Sequence, residues 1–161
     1  MMRKFWVIFL SVLFTVLEVS LMPHFNLGII TLKFSLICAV AVAWLCDEKL
    51  GIINAAIIGS IIDVTSSKIL CMYLVLYVAT AVAVNYISKK ADIRKVYICL
   101  ISTFVISVLV ELVGFFCAFF KYRAEFTTFA LSKIILPQAF LNTLVCFVLF
   151  FIFRSVCPSE Q

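Results

Sequence analysis

Five side chains stand out because they are polar and lie within long apolar runs: Glu18, Asp63, Glu111, Gln138 and Asn142. A carboxylate in such a setting is costly unless it meets a cation, a hydrogen-bond donor or water. Each acid therefore marks a place where something else should converge. Gln138 and Asn142 are four residues apart, on one face of a helix, directly after Pro137. Gly51, Ala55, Gly59 and Asp63 also follow one another at intervals of four. On an α-helix that spacing makes a groove of small residues leading to an acid, and in a membrane the groove lets another helix approach closely. Asp63 has two readings. It is either a cap beside a helix–helix contact or the centre of a site that depends on its charge.

Catalysis has little to work with. The chain contains no HExxH, GxSxG or P-loop and no acid–base pair on one helix. His24 is the sole histidine and sits in a loop rich in Pro, Asn and Gly, so the usual metal-ligand spacings are missing. We expect no catalytic residue, no metal and no cofactor. Cys38, Cys46, Cys71, Cys99, Cys117, Cys146 and Cys157 form no C-x-x-C pair. They read as small apolar residues within spans rather than as a disulfide framework, with Cys157 a candidate for lipidation.

The elements that position these residues follow from composition. The 161 residues are 66% hydrophobic and 13% charged, too few polar groups to cover a soluble core. The expected fold is all-α, a polytopic six-helix transmembrane bundle forming one integral membrane domain over residues 1–161. The net charge of +5 is not a nucleic-acid footprint, because the Lys and Arg residues sit between apolar runs and form no stripe with aromatics. They serve orientation and lipid contact. Apolar runs place spans at about 5–22, 29–46, 50–64, 69–87, 96–120 and 134–153. The first reads as an uncleaved span. The third is short and is either a complete span or one arm of a re-entrant hairpin; its flanking charges favour the span.

An even number of spans puts both termini on one side. Arg3, Lys4, Lys49, Lys89, Lys90, Arg94, Lys95 and Arg154 fall there, against Lys33, Lys68, Lys121, Arg123 and Lys133 opposite. The basic excess makes that side cytoplasmic. Glu18, Asp63, Glu111, Gln138 and Asn142 then all lie in the outer half. They form an outward-facing polar cavity or partner face, with Lys68, Lys121, Arg123 or Lys133 as counter-charges; alternatively, each acid sits alone and solvated at headgroup depth.

A helix bearing Gly51 and Gly59 and ending in Asp63, a short polar loop over residues 64–68 and a further apolar span over 69–87 resemble the bacterial rod shape-determining protein MreD family. So does the late span that opens Leu136-Pro137-Gln138 and ends before Arg154. The chain departs from the family near Cys71, where a glycine is frequent. The resemblance implies a non-enzymatic scaffold of the cell-elongation machinery in the bacterial inner membrane. Its implied partner is MreC, a single-span protein, and through it the MreB filaments, RodA and a class B penicillin-binding protein. On that reading the small-residue groove packs a helix, either its own or MreC's.

The alternative is the substrate-binding component of an energy-coupling-factor vitamin transporter, also small, basic and six-spanning, with an outward cavity. Such proteins resemble one another in an Ala-x-x-x-Ala motif in the first span, and residues 5–22 contain no alanine. The small pairs here fall later, at Ala39–Ala43 and Ala79–Ala83.

Overall fold

The structure, a computed structural model, describes residues 2–21, 32–66, 71–90, 96–122 and 134–156. Among them lie six helices: α1 (Met2–Leu21), α2 (Phe34–Leu45), α3 (Glu48–Ser66), α4 (Met72–Lys90), α5 (Val96–Tyr122) and α6 (Leu136–Val156). A short π-helical turn at 134–135 precedes α6. Only Cys46 and Asp47 separate α2 from α3, and so short a connection makes the two helices antiparallel neighbours. The Asp47 carbonyl accepts the Gly51 N–H at 2.9 Å and so starts α3.

α2 is the centre of the bundle. It packs on all five other helices, most extensively on α3, α6 and α4. Every residue from Ser35 to Trp44 is buried. The sequence FSLICAVAVAWL explains this, since a helix that is apolar on all sides has no face to offer water. Ala39, Ala41 and Ala43 also keep it thin enough for its neighbours to close around it. α3 with α4 and α5 with α6 make the two broadest pairings outside α2, whereas the α1–α6 and α4–α5 seams are thin.

Two ion pairs gather the helix ends on one side. Lys4 at the start of α1 meets Asp47 at 2.9 Å, and Lys89 at the end of α4 meets Glu48. The 47–49 turn therefore shares its face with the first residues of α1 and the last of α4. Both pairs are well exposed and worth at most about 1 kcal/mol each, so they report proximity more than they supply stability.

α4, α5 over Val96–Cys117, and α6 are long and apolar enough to cross a membrane. In each, about a third or less of the apolar window is buried, which leaves a wide surface for lipid. α1 and α3 have comparable lengths, but charged residues interrupt them at Lys4 and Glu18 and at Glu48, Lys49 and Asp63. α3 runs for 19 residues, about 28 Å, and is longer than its apolar run alone predicts.

α2 differs most from expectation. Ile29–Thr31 lie outside the described residues, and Leu32 and Lys33 precede the helix without belonging to it. At 12 residues α2 is about 18 Å long, well short of a hydrocarbon layer of about 30 Å. Cys46 also departs from the sequence reading. It is disulfide-bonded, whereas Cys38, Cys99 and Cys146 are buried free thiols. Cys46 sits at a helix end, not inside a span, and the even scatter of cysteines along the sequence hides that distinction.

Candidate functional site

The N-terminus of α2 collects the polar residues that the sequence singles out. A helix start leaves N–H groups without intrahelical partners, and inside a bundle only side chains can satisfy them. α1 supplies Glu18, whose Oε2 accepts the Ser35 N–H at 2.6 Å. α6 supplies Asn142, whose Oδ1 accepts the Lys33 N–H at 3.2 Å. Lys33 is the N-cap residue, and its own side chain does not cap. Instead its ammonium reaches Glu111 of α5 in an ion pair. Gln138 of α6 donates to the same Glu111 Oε1 at 2.7 Å.

α4 closes the cluster. The hydroxyls of Ser35 and Tyr77 are 2.9 Å apart, both buried. The Lys33 ammonium lies 5.9 Å from the centre of the Tyr73 ring, within cation–π range. The Tyr73 backbone leads to the remaining acid. Asp63 Oδ1 accepts the Tyr73 N–H and Oδ2 accepts the Leu74 N–H, each at 2.9 Å. So Glu18 caps α2 and Asp63 caps α4, each acid serving the start of a neighbouring helix. Anionic side chains are favoured there because the helix dipole is positive at its N-terminus.

Glu18, Glu111, Gln138 and Asn142 converge directly on Lys33 and Ser35, and Asp63 joins through Tyr73. The acids are not alone and solvated. Gln138 and Asn142 are buried, and the Lys33 and Glu111 side chains are 16% and 17% exposed. Among the described residues the counter-charge is Lys33. Lys68, Arg123 and Lys133 lie outside the described residues. Along α5, Glu111 is about 22 Å from the first residue at 1.5 Å per residue. The cluster therefore lies well away from the end of the bundle that carries the 47–49 turn. Lys33, Ser35, Tyr73 and Tyr77 were missed. Only Lys33 carried a signal, a lone cation at the mouth of an apolar run.

The small-residue groove is occupied by the chain's own helices. A Cβ on Gly59 would stand 2.6 Å from the Leu74 Cα and 3.0 Å from the Tyr73 carbonyl oxygen, both backbone of α4. A Cβ on Gly51 would stand 2.9 Å from the Ala43 Cα of α2. Ala55 is fully buried between them along the same face. Gly59 and Asp63 act together: the glycine admits the first turn of α4 and the acid holds its N–H groups. Just before that turn, Cys71 adopts φ 62°, the left-handed region that favours glycine. This is the position where the sequence departs from the family it resembles.

Chemically the arrangement is a clamp. Every carboxylate in it accepts hydrogen bonds from fixed donors or pairs with Lys33. Among the described residues no group of three His, Cys, Asp or Glu is placed to hold a metal ion. His24 lies outside them.

The family described as rod shape-determining protein MreD matches residues 2–159. No curated protein and no solved structure matches significantly.

Proposed function

The chain belongs to the rod shape-determining protein MreD family, and from that premise we propose that it is a non-enzymatic membrane scaffold of the bacterial cell-elongation machinery. Family membership places its role in rod shape determination. The proposed scaffold sits in the cytoplasmic membrane as a six-helix bundle with both termini in the cytoplasm, its short α2 enclosed by the other five helices. It binds an MreC-like single-span protein and, through it, links MreB to RodA and a class B penicillin-binding protein.

The observation that supports a scaffold is the use made of the polar side chains. Glu18, Lys33, Asp63, Glu111, Gln138 and Asn142 are spent on contacts between helices, in which all six take part. Groups committed in this way hold a frame rigid. A rigid frame suits a protein that fixes the position of others, since it presents partner surfaces without an ordering cost. Because the groove of Gly51, Ala55 and Gly59 is filled by α2 and α4, a partner helix would dock elsewhere on the lipid-facing surface. The family match also favours this reading over the vitamin-transporter alternative.

The test is recovery of partners. The tagged protein is extracted from its native host in mild detergent and the accompanying proteins are identified. Co-purification of an MreC-like protein with cell-wall synthases is expected. Recovery of an ATPase pair with a transport subunit would replace the scaffold with a transporter component.

A further inference from the structure

The thin seam between α1 and α6 opens into a cavity at the end of the bundle that carries the 47–49 turn. It has a volume of about 280 Å³ and is lined by Trp6, Leu10, Ser155 and Val156. Its walls are effectively apolar. The Ser155 hydroxyl is hydrogen-bonded to the Ile152 carbonyl at 2.7 Å. An α-helix with its side chains is about 10–12 Å across, too wide for a cavity of this size between two helix ends. A single hydrocarbon chain fits.

The surroundings match a phospholipid and select its charge. Trp6 is 56% exposed and packs edge-on against Phe9 at 5.8 Å, with Phe5 exposed beside them. Aromatic rings at a helix end are the usual markers of headgroup depth. Arg154 is exposed in the last turn of α6, one residue before Ser155. At this end Asp47 and Glu48 are matched by Lys4 and Lys89, and Lys49, Lys90 and Arg154 add positive charge beyond them. A basic rim over an apolar slot attracts an anionic headgroup and accepts its chain.

We propose that this seam is a binding site for an anionic phospholipid, with one acyl chain against Trp6 and Leu10 and the phosphate at Arg154. The site would close the weakest contact around α1 with a lipid instead of a side chain.

Trp6 and Trp44 are the two tryptophans, and Trp44 is 1% exposed within α2. Quenching by a brominated acyl chain therefore reads Trp6. The full chain is reconstituted in phosphatidylcholine vesicles, and dibrominated phosphatidylglycerol or dibrominated phosphatidylcholine is titrated in at matched mole fractions. We expect the anionic lipid to quench with an apparent affinity about 5-fold higher, as one basic contact would give. Arg154→Gln should remove that preference while leaving the quenching by phosphatidylcholine unchanged. Leu10→Phe, which fills the slot, should weaken quenching by both lipids. Equal quenching by both lipids in the unaltered protein would overturn the proposal, as would a preference that survives Arg154→Gln.

Discussion

Buried polarity is handled differently at the two ends of this bundle. Around Lys33, side chains from α1, α2, α4, α5 and α6 bond one another across helices, although the buried Asn142 Nδ2 has no partner among the described residues. Within two turns of the 47–49 turn, Asn54 is fully buried, and neither its Oδ1 nor its Nδ2 has a partner among the described residues. Asn85, 4% exposed, has an unpartnered Nδ2 there too. Each such group costs about 1–3 kcal/mol. One end is therefore held by directional bonds that fix which helix meets which. The other is held by close apolar packing and tolerates polar groups that work against it. A scaffold built this way is pinned near the start of α2 by hydrogen bonds and a buried ion pair, and where α2 ends by close packing and the disulfide of Cys46.

The largest effect should come from breaking the end around Lys33. Lys33→Met leaves Glu111 charged and nearly buried without its cation, at a cost of about 3–5 kcal/mol. Thermal unfolding in detergent, followed by loss of the monodisperse peak, would show the drop. The double variant Lys33→Met with Glu111→Gln removes the orphaned charge and should recover most of it. If the double variant is as unstable as the single, the cluster is not the clamp described here.

The two glycine contacts compare the ends directly. Gly59→Ala drives a Cβ into the backbone of α4 at 2.6 Å, whereas Gly51→Ala meets α2 at 2.9 Å. Overpacking of this kind costs about 1–3 kcal/mol, with Gly59 at the upper end. Gly114→Ala is the control. Its nearest neighbour is the flexible Met72 Cε at 4.0 Å, so stability should hold or rise slightly. Equal losses at Gly51 and Gly59 would mean that the two ends are equally tight.

Much of this was legible in the sequence, and what was not has physical causes. Apolar runs found the helices because backbone in lipid must satisfy itself. The spacing of Gly51, Ala55, Gly59 and Asp63 identified a packing face, since i and i+4 share a face whatever the partner. The identity of the partner helix was not encoded locally: α2 at Gly51 and α4 at Gly59 follow from tertiary packing. The polar residues read as one group, whereas Lys33 reads only as an outer-side cation near the start of the second span. Its pairing with Glu111 depends on α2 starting late, and that start depends in turn on Glu18 and Asn142 capping it. The left-handed backbone at Cys71 was hidden because cysteine carries no turn signal.

Leucine at the two buried asparagines should shift stability in opposite directions. Asn54→Leu keeps roughly the same volume and removes a buried, unpartnered amide. It should stabilise the protein by about 1–2 kcal/mol. Asn142→Leu at the other end removes the acceptor for the Lys33 N–H together with an unpartnered Nδ2, and the lost cap should leave a net destabilisation of at most about 1 kcal/mol. A loss at Asn54 as large as at Asn142 would show that the asparagine end is as well satisfied as the Lys33 end.

The smallest effects separate stability from function at Asp63. Asp63→Asn keeps one oxygen for Tyr73 or Leu74 and turns an amide N–H toward the other, so about 1 kcal/mol of the α4 cap is lost. Cys71→Gly, one step before α4, relieves the left-handed strain and should return about 1 kcal/mol. The combined variant should unfold near the temperature of the unaltered protein. Cell shape is then the informative readout. If Asp63 only holds α4, cells carrying Asp63→Asn with Cys71→Gly are rods, and those carrying Asp63→Asn alone are rods to the extent that the protein accumulates. Rounded cells with normal levels of the stabilised double variant would mean that the charge itself is read by a partner. The cap would then be the resting position of a group that has a second role.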